Sequence, residues 1–120
     1  MILVDTSIWI DHLRSVDSRL VDLLDHGQVL AHPFVIGELA CGNLQNRDGI
    51  LRLLGDLPQS PVASPEEALH FIEQNQLMGQ GIGYIDVHLL AATALAGDAL
   101  LWTADKRLKK VASGLKLAID

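Results

Sequence analysis

A chain of 120 residues, 49% hydrophobic and 20% charged, is large enough for one core and too apolar for intrinsic disorder. Its single cysteine, Cys41, excludes an internal disulfide, no apolar run of about 18 uncharged residues offers a membrane span, and the opening Met-Ile-Leu-Val-Asp lacks the basic leader of a secretory signal, so a cytoplasmic protein is expected. A net charge of −6 disfavours purely electrostatic binding to nucleic acid, which needs a basic face.

Short apolar runs alternate with amphipathic ones. Ile2–Val4 predicts a strand, broken by Asp5-Thr6-Ser7, with Ser7 capping a helix over 8–14. Leu20, Val21, Leu23 and Leu24 predict a helix over 19–26 that stops at Gly27. A second short strand follows at 29–31. Pro33 opens a helix over 34–41 closed by Gly42, and Ile50, Leu51, Leu53 and Leu54 mark another that ends at Gly55. A linker at 58–61 leads to a short strand near 62–63. Ser64-Pro65-Glu66-Glu67 is a cap, a proline and a pair of first-turn acids, and predicts a helix running to about Met78. A flexible loop at 79–83 precedes an apolar helix over 85–96. Leu100–Trp102 predicts a strand, 105–112 a basic helix, and 116–119 a last strand. This order implies an α/β fold with a parallel sheet covered on both faces, and residues 1–120 read as a single domain.

Four carboxylates stand out against this plan. Residues 1–10 hold only Asp5, 33–42 only Glu38, and 74–97 only Asp86 as charged groups, while Asp105 follows the apolar run Ala99-Leu100-Leu101-Trp102 closely. Burying a charge without a partner is costly, and no Lys or Arg lies inside the first three stretches, so a shared divalent cation is the partner that fits. Asp5 and Asp105 fall at the carboxyl ends of two strands, where open α/β sheets bind ligands if the strand order reverses there. Asp86 falls in the first turn of its helix. Glu38 is mid-helix, with Phe34 and Cys41 on its own face. Each acid also has a plain structural reading: Asp5 and Asp105 as helix caps, Asp86 as a dipole-complementing first-turn acid, Glu38 as a snorkelling side chain. The joint pattern favours a metal site, and removing these four charges from the total leaves only −2.

The stretches Val4-Asp5-Thr6-Ser7-Ile8-Trp9, Glu38-Leu39, Gly83-Tyr84-Ile85-Asp86 and Leu101-Trp102-Thr103-Ala104-Asp105-Lys106 resemble, in this order and over essentially the whole chain, the PIN-domain ribonucleases, specifically the VapC-type toxins of bacterial toxin–antitoxin pairs. The resemblance implies a parallel sheet of about five strands between helices. It also implies an acidic quartet, Asp5, Glu38, Asp86 and Asp105, that binds Mg²⁺ or Mn²⁺, with Asp5 and Asp86 as direct ligands. The implied reaction is hydrolysis of RNA phosphodiesters to a 5′-phosphate and a 3′-hydroxyl. A small VapB-type antitoxin, seated in a groove that includes helices 19–26 and 50–55, and a homodimer are the implied partners.

Thr6 and Thr103 stand beside the acids, as holders of carboxylates, phosphate contacts or simple turn formers. Lys106-Arg107-Leu108-Lys109-Lys110 places four cations in five residues, either an RNA-backbone contact or a solvated face. The five histidines show no metal-ligand spacing, and Trp9 and Trp102 read as core. A phosphoacceptor receiver domain is the alternative of another class. It would need an acidic pair after strand one and an Asp after strand three, but Asp5 is followed by Thr-Ser and the stretch Pro61-Val62-Ala63-Ser64 has no acid. A D-x-D phosphatase fails at Ser7, and a PIN fold used only for binding remains a third reading.

Overall fold

A computed structural model describes residues 1–119; residue 120 lies outside the described residues. The elements in chain order are β1 (Ile2–Val4), α1 (Thr6–Arg14), α2 (Ser18–Asp25), β2 (Val29–Leu30), α3 (Pro33–Ala40), α4 (Arg47–Asp56), α5 (Pro65–Asn75), α6 (Tyr84–Ala96), β3 (Leu100–Trp102) and α7 (Lys106–Gly114). The sheet is parallel, in the order β2-β1-β3. Leu3 pairs with Leu30 on one side and Leu101 on the other. The chain thus leaves β1 in one direction to reach β2 and arrives on its opposite side at β3. The crevice between the carboxyl ends of β1 and β3 is the reversal point expected to bind a ligand.

The expected fourth and fifth strands are reduced to single parallel bridges at the sheet edges, Ala31 with Gln59 and Leu101 with Ala118. Pairing falls at 58–60 and not at 62–63: Pro58 O accepts from Ala31 N, and Ser60 N donates to Ala31 O. Pro61 has no N–H with which to continue the ladder, and Val62 is turned outward.

The remaining differences also have local causes. Asp5, not Ser7, caps α1, accepting from Thr6 N at 2.8 Å, because the helix starts at once where the strand ends. Gly55 lies inside α4, which stops before Leu57, held extended by the following Pro58. Helix α5 ends at Asn75, short of Met78, because Gln76 adopts the left-handed conformation (φ 53°) and Leu77 N turns back to Ile72 O.

The core lies between the sheet and α6, whose residues from Val87 to Thr93 are all buried. A helix buried around its whole circumference explains its uniformly apolar sequence. Helix α7 instead shows one face, burying Leu108 and Ala112 while its cations face solvent. Among the described residues no helix is long and apolar enough to cross a membrane.

Candidate active site

The crevice is built from the ends of β1 and β3. Asp5 N donates to Trp102 O at 2.9 Å, carrying the ladder one residue beyond β1 and setting the Asp5 side chain beside Thr103. Asp5 is 6% exposed. Its Oδ1 accepts from Thr6 N, and its Oδ2 accepts from two hydroxyls, Ser7 Oγ at 2.9 Å and Thr103 Oγ1 at 2.7 Å. Each hydroxyl also accepts a backbone N–H from the next loop: Ala104 N donates to Ser7 Oγ and Asp105 N to Thr103 Oγ1. Each hydroxyl is thus tied to Asp5 on one side and to the loop backbone on the other.

The other acids, unlike Asp5, are each anchored through one oxygen. Asp105 caps α7 through Oδ1, which accepts from Arg107 N and Leu108 N. Asp86 Oδ2 accepts from Gly83 N in a box closing the start of α6. Glu38 Oε1 accepts from Thr6 Oγ1 at 2.9 Å across α1 and α3. The second oxygens of Asp86, Asp105 and Glu38 have no hydrogen-bond partner among the described residues. The capping roles foreseen for Asp5, Asp86 and Asp105 are therefore real, and they leave an oxygen of each of the latter two open. Glu38 departs from the expectation of a buried acid on a core-packed helix. It is exposed, because the face of α3 it shares with Cys41 opens to solvent.

Burial and the fields of Asp5 and Asp105 push the carboxyl of Asp86 above its usual range, against the opposing bond from Gly83. Asp86 thus feels the charges of both Asp5 and Asp105. Among the described residues no three His, Cys, Asp or Glu side chains converge into a ready-made metal cluster. Asp5 and Asp105 act on Asp86 through their charge and not through a single contact point. That arrangement fits a hard cation that keeps several of its waters, as Mg²⁺ does, and the all-oxygen donor set is of the matching type.

Thr6 and Thr103 stand at the site with hydroxyls directed to Glu38 and Asp5. Lys106 and Arg107 are exposed in the first turn of α7. The Arg107 stem lies across the loop before α6, where a Cβ on Gly81 would meet Arg107 Cδ at 2.9 Å. Sequence reasoning missed the double role of Ser7, although it sits inside the Asp5-Thr6-Ser7 motif. It also missed Gly81 and the buried pair His32 and His88. The leucines of α2 and α4 mostly turn into the molecule, only Leu53 being well exposed. A cleft of about 590 Å³ opens elsewhere, between α1 and α3, lined by Ile10, Leu13, Arg14, Glu38 and Leu44 among others.

A parallel sheet with acids at the reversal point and on two flanking helices defines a class, and the comparison with known families agrees: the chain belongs to the PIN-domain family, whose profile matches residues 2–114. Its relatives are VapC proteins. It is 50% identical over 120 residues to Ribonuclease VapC32 from each of two strains of Mycobacterium tuberculosis, an alignment covering 98% of this chain and 97% of each relative.

Proposed function

We propose that this chain is a metal-dependent endoribonuclease, the toxin of a toxin–antitoxin pair. One observation carries the reading: Thr103 donates to Asp5 Oδ2 and accepts from Asp105 N, so two of the acids meet at the ends of β1 and β3, and the charges of both act on the Asp86 carboxyl at the start of α6. Acids at this crevice suit metal-assisted phosphodiester hydrolysis, and the identity to Ribonuclease VapC32 supports RNA as the substrate class. Asp5 and Asp86 would hold a Mg²⁺ or Mn²⁺ ion, with Glu38 and Asp105 completing the site through waters or at a second ion. Such an ion, when bound, lowers the pKa of a water and neutralises charge on the phosphoryl group.

The protein's own contributions are local. Ser7 and Thr103 hold the Asp5 carboxylate in place, with Oδ2 filled and one lone pair left on Oδ1. Thr6 holds Glu38. Lys106 and Arg107 meet the phosphate backbone at the start of α7, a dipole end that itself favours anions. The products are a 5′-phosphate and a 3′-hydroxyl. A small VapB-type antitoxin, a homodimer and a cytoplasmic setting belong to the same reading, and the cleft beside Glu38 is where an antitoxin segment would reach the acids.

The test compares wild type and Asp5→Asn on total RNA. The wild type cleaves in Mg²⁺ or Mn²⁺, EDTA stops it, and Asp5→Asn is inactive. Equal cleavage by both proteins, or cleavage that persists in EDTA, overturns the reading.

A further inference from the structure

Of the five Phe, Trp and Tyr side chains, only Tyr84 is exposed. Trp9 is sealed in the core, and Trp102, under the Arg19 guanidinium at 5.2 Å, is half-buried. Tyr84 is 47% exposed and is the first residue of α6. Its neighbour Gly83 donates to Asp86, so the ring stands within the same turn as a proposed metal ligand.

The ring is not a loose surface group. It packs perpendicular to His88 with centroids 4.6 Å apart. His88 packs on Phe34 at 4.8 Å, and Phe34 on His32 at 5.1 Å. His32 and His88 are buried, so this aromatic ladder runs from the core to the rim of the site. It also links α6, which carries Asp86, to α3, where Phe34 lies one turn before Glu38. In a perpendicular pair one ring meets the other edge-on, so at least one face of Tyr84 is left free by His88. A ring already held in place loses little freedom when a second planar group stacks on it.

A cation lies close by. The Arg107 stem rests on Gly81, three residues before Tyr84, and its Nη1 is 3.3 Å from where a Cβ there would stand. An exposed aromatic face at the start of α6 and an α7 guanidinium resting on the loop before it form the pairing by which proteins hold single-stranded nucleic acid: the base stacks and the cation takes the phosphate.

We infer that Tyr84 is the platform on which one RNA base stacks beside the scissile phosphate, with Arg107 on the adjoining backbone. This rests on the ribonuclease reading and adds to it a substrate contact that the acidic site does not contain. The platform requires an unpaired nucleotide at the cut, so cleavage falls in single-stranded segments.

The experiment first maps the sites cut in total RNA in Mg²⁺. Short RNAs spanning a mapped site are then made with 2-aminopurine, or an abasic sugar, at each position in turn, and their binding is measured in EDTA. With wild type and Tyr84→Phe, 2-aminopurine at one position next to the cut is quenched. With Tyr84→Ala and Tyr84→Leu that quenching is lost and binding weakens by about 5- to 150-fold, the range for one stacked base. An RNA abasic at that position binds all four proteins equally. Tyr84→Leu keeps an apolar group against His88, so it separates stacking from packing, and thermal melting confirms that each variant is folded. Wild-type binding by Tyr84→Leu, or equal weakening of intact and abasic RNAs, overturns the inference while leaving the nuclease intact. A wild type that neither binds nor cuts RNA overturns both.

Discussion

Thr103 donates its hydroxyl to Asp5 Oδ2 across 2.7 Å, joining two residues that are 98 positions apart in the chain and adjacent at the ends of β3 and β1. The same oxygen of Thr103 accepts from Asp105 N, so one hydroxyl fixes both a carboxylate and the backbone that carries another. Thr103→Val keeps the shape and removes both bonds, leaving a buried carboxylate one donor short. A loss of about 1–3 kcal/mol in unfolding free energy is expected, together with a fall in RNA cleavage. Thr103→Ser restores most of both. Urea unfolding of the three proteins checks this, and an unchanged midpoint in Thr103→Val would show the bond to be idle.

Asp86 gives a prediction whose sign depends on the cation. Its carboxyl is raised by burial and by the fields of Asp5 and Asp105, so its ionised form opposes folding at neutral pH when no metal is bound. Asp86→Asn keeps an oxygen for Gly83 N and removes that charge. The metal-free variant should therefore melt at or above the wild-type temperature. Adding Mn²⁺ or Mg²⁺ should reverse the order. A ligand at a hundred times its Kd stabilises by about 2.7 kcal/mol, a gain of several degrees that the variant should not show. Melting curves with and without the ion decide it. A variant that is less stable without metal, or that gains as much from metal as wild type, contradicts the placement of Asp86.

His32 predicts an acid-side loss of stability. Burial, and secondarily the charge of His88, lower its pKa from 6.5 to about 4. The unfolded chain takes up a proton near pH 6.5 and the folded one resists until about pH 4. Stability from this group is thus complete above about pH 6.5 and declines as the pH falls toward 4, by roughly 3 kcal/mol. His88, also lowered by burial, acts in the same direction, while the raised Asp86 acts in the opposite one. The contribution of His32 is isolated by His32→Asn, whose amide oxygen can replace Nδ1 as the acceptor from Phe34 N. Unfolding free energies at about pH 7 and about pH 4.5 should differ less in the variant than in wild type. Equal differences would mean that His32 titrates normally.

The order of elements and the crevice were legible because they rest on local signals. Ile2–Val4 and Leu100–Trp102 are apolar runs that stop at or just before acids, and the acids double as helix caps. The edge strands were less legible, since Pro58 and Pro61 confine pairing to a bridge at Gln59 while Val62, the most strand-like residue there, pairs with nothing. The surroundings of Glu38 were misjudged because an apolar helix need not bury every face. Val35 and Leu39 face the core, but Gly37 and Glu38 do not. The bond from Thr103 to Asp5 and the Phe34–His88 step of the aromatic ladder join residues far apart in sequence, and no spacing rule reports them. His32 and His88 have no metal spacing, yet their burial and stacking make them structural partners of the site.

Gly81 tests whether Arg107 is positioned or merely present. Its φ of +80° suits glycine, and an added methyl would press on the Arg107 stem at 2.9 Å. Gly81→Ala should therefore destabilise the fold by about 1 kcal/mol through its backbone, and also displace the guanidinium from the site. The second effect is separable. Removing the cation with Arg107→Ala should weaken RNA binding and flatten its salt dependence by about one phosphate contact. In that background Gly81→Ala should weaken binding no further, because nothing remains to displace, whereas in wild type it should weaken it nearly as much as Arg107→Ala does. Dissociation constants for one short RNA, measured in EDTA at two salt concentrations for the four proteins, complete the cycle. Additive losses would mean that Gly81 acts through the loop and the start of α6 instead of through Arg107.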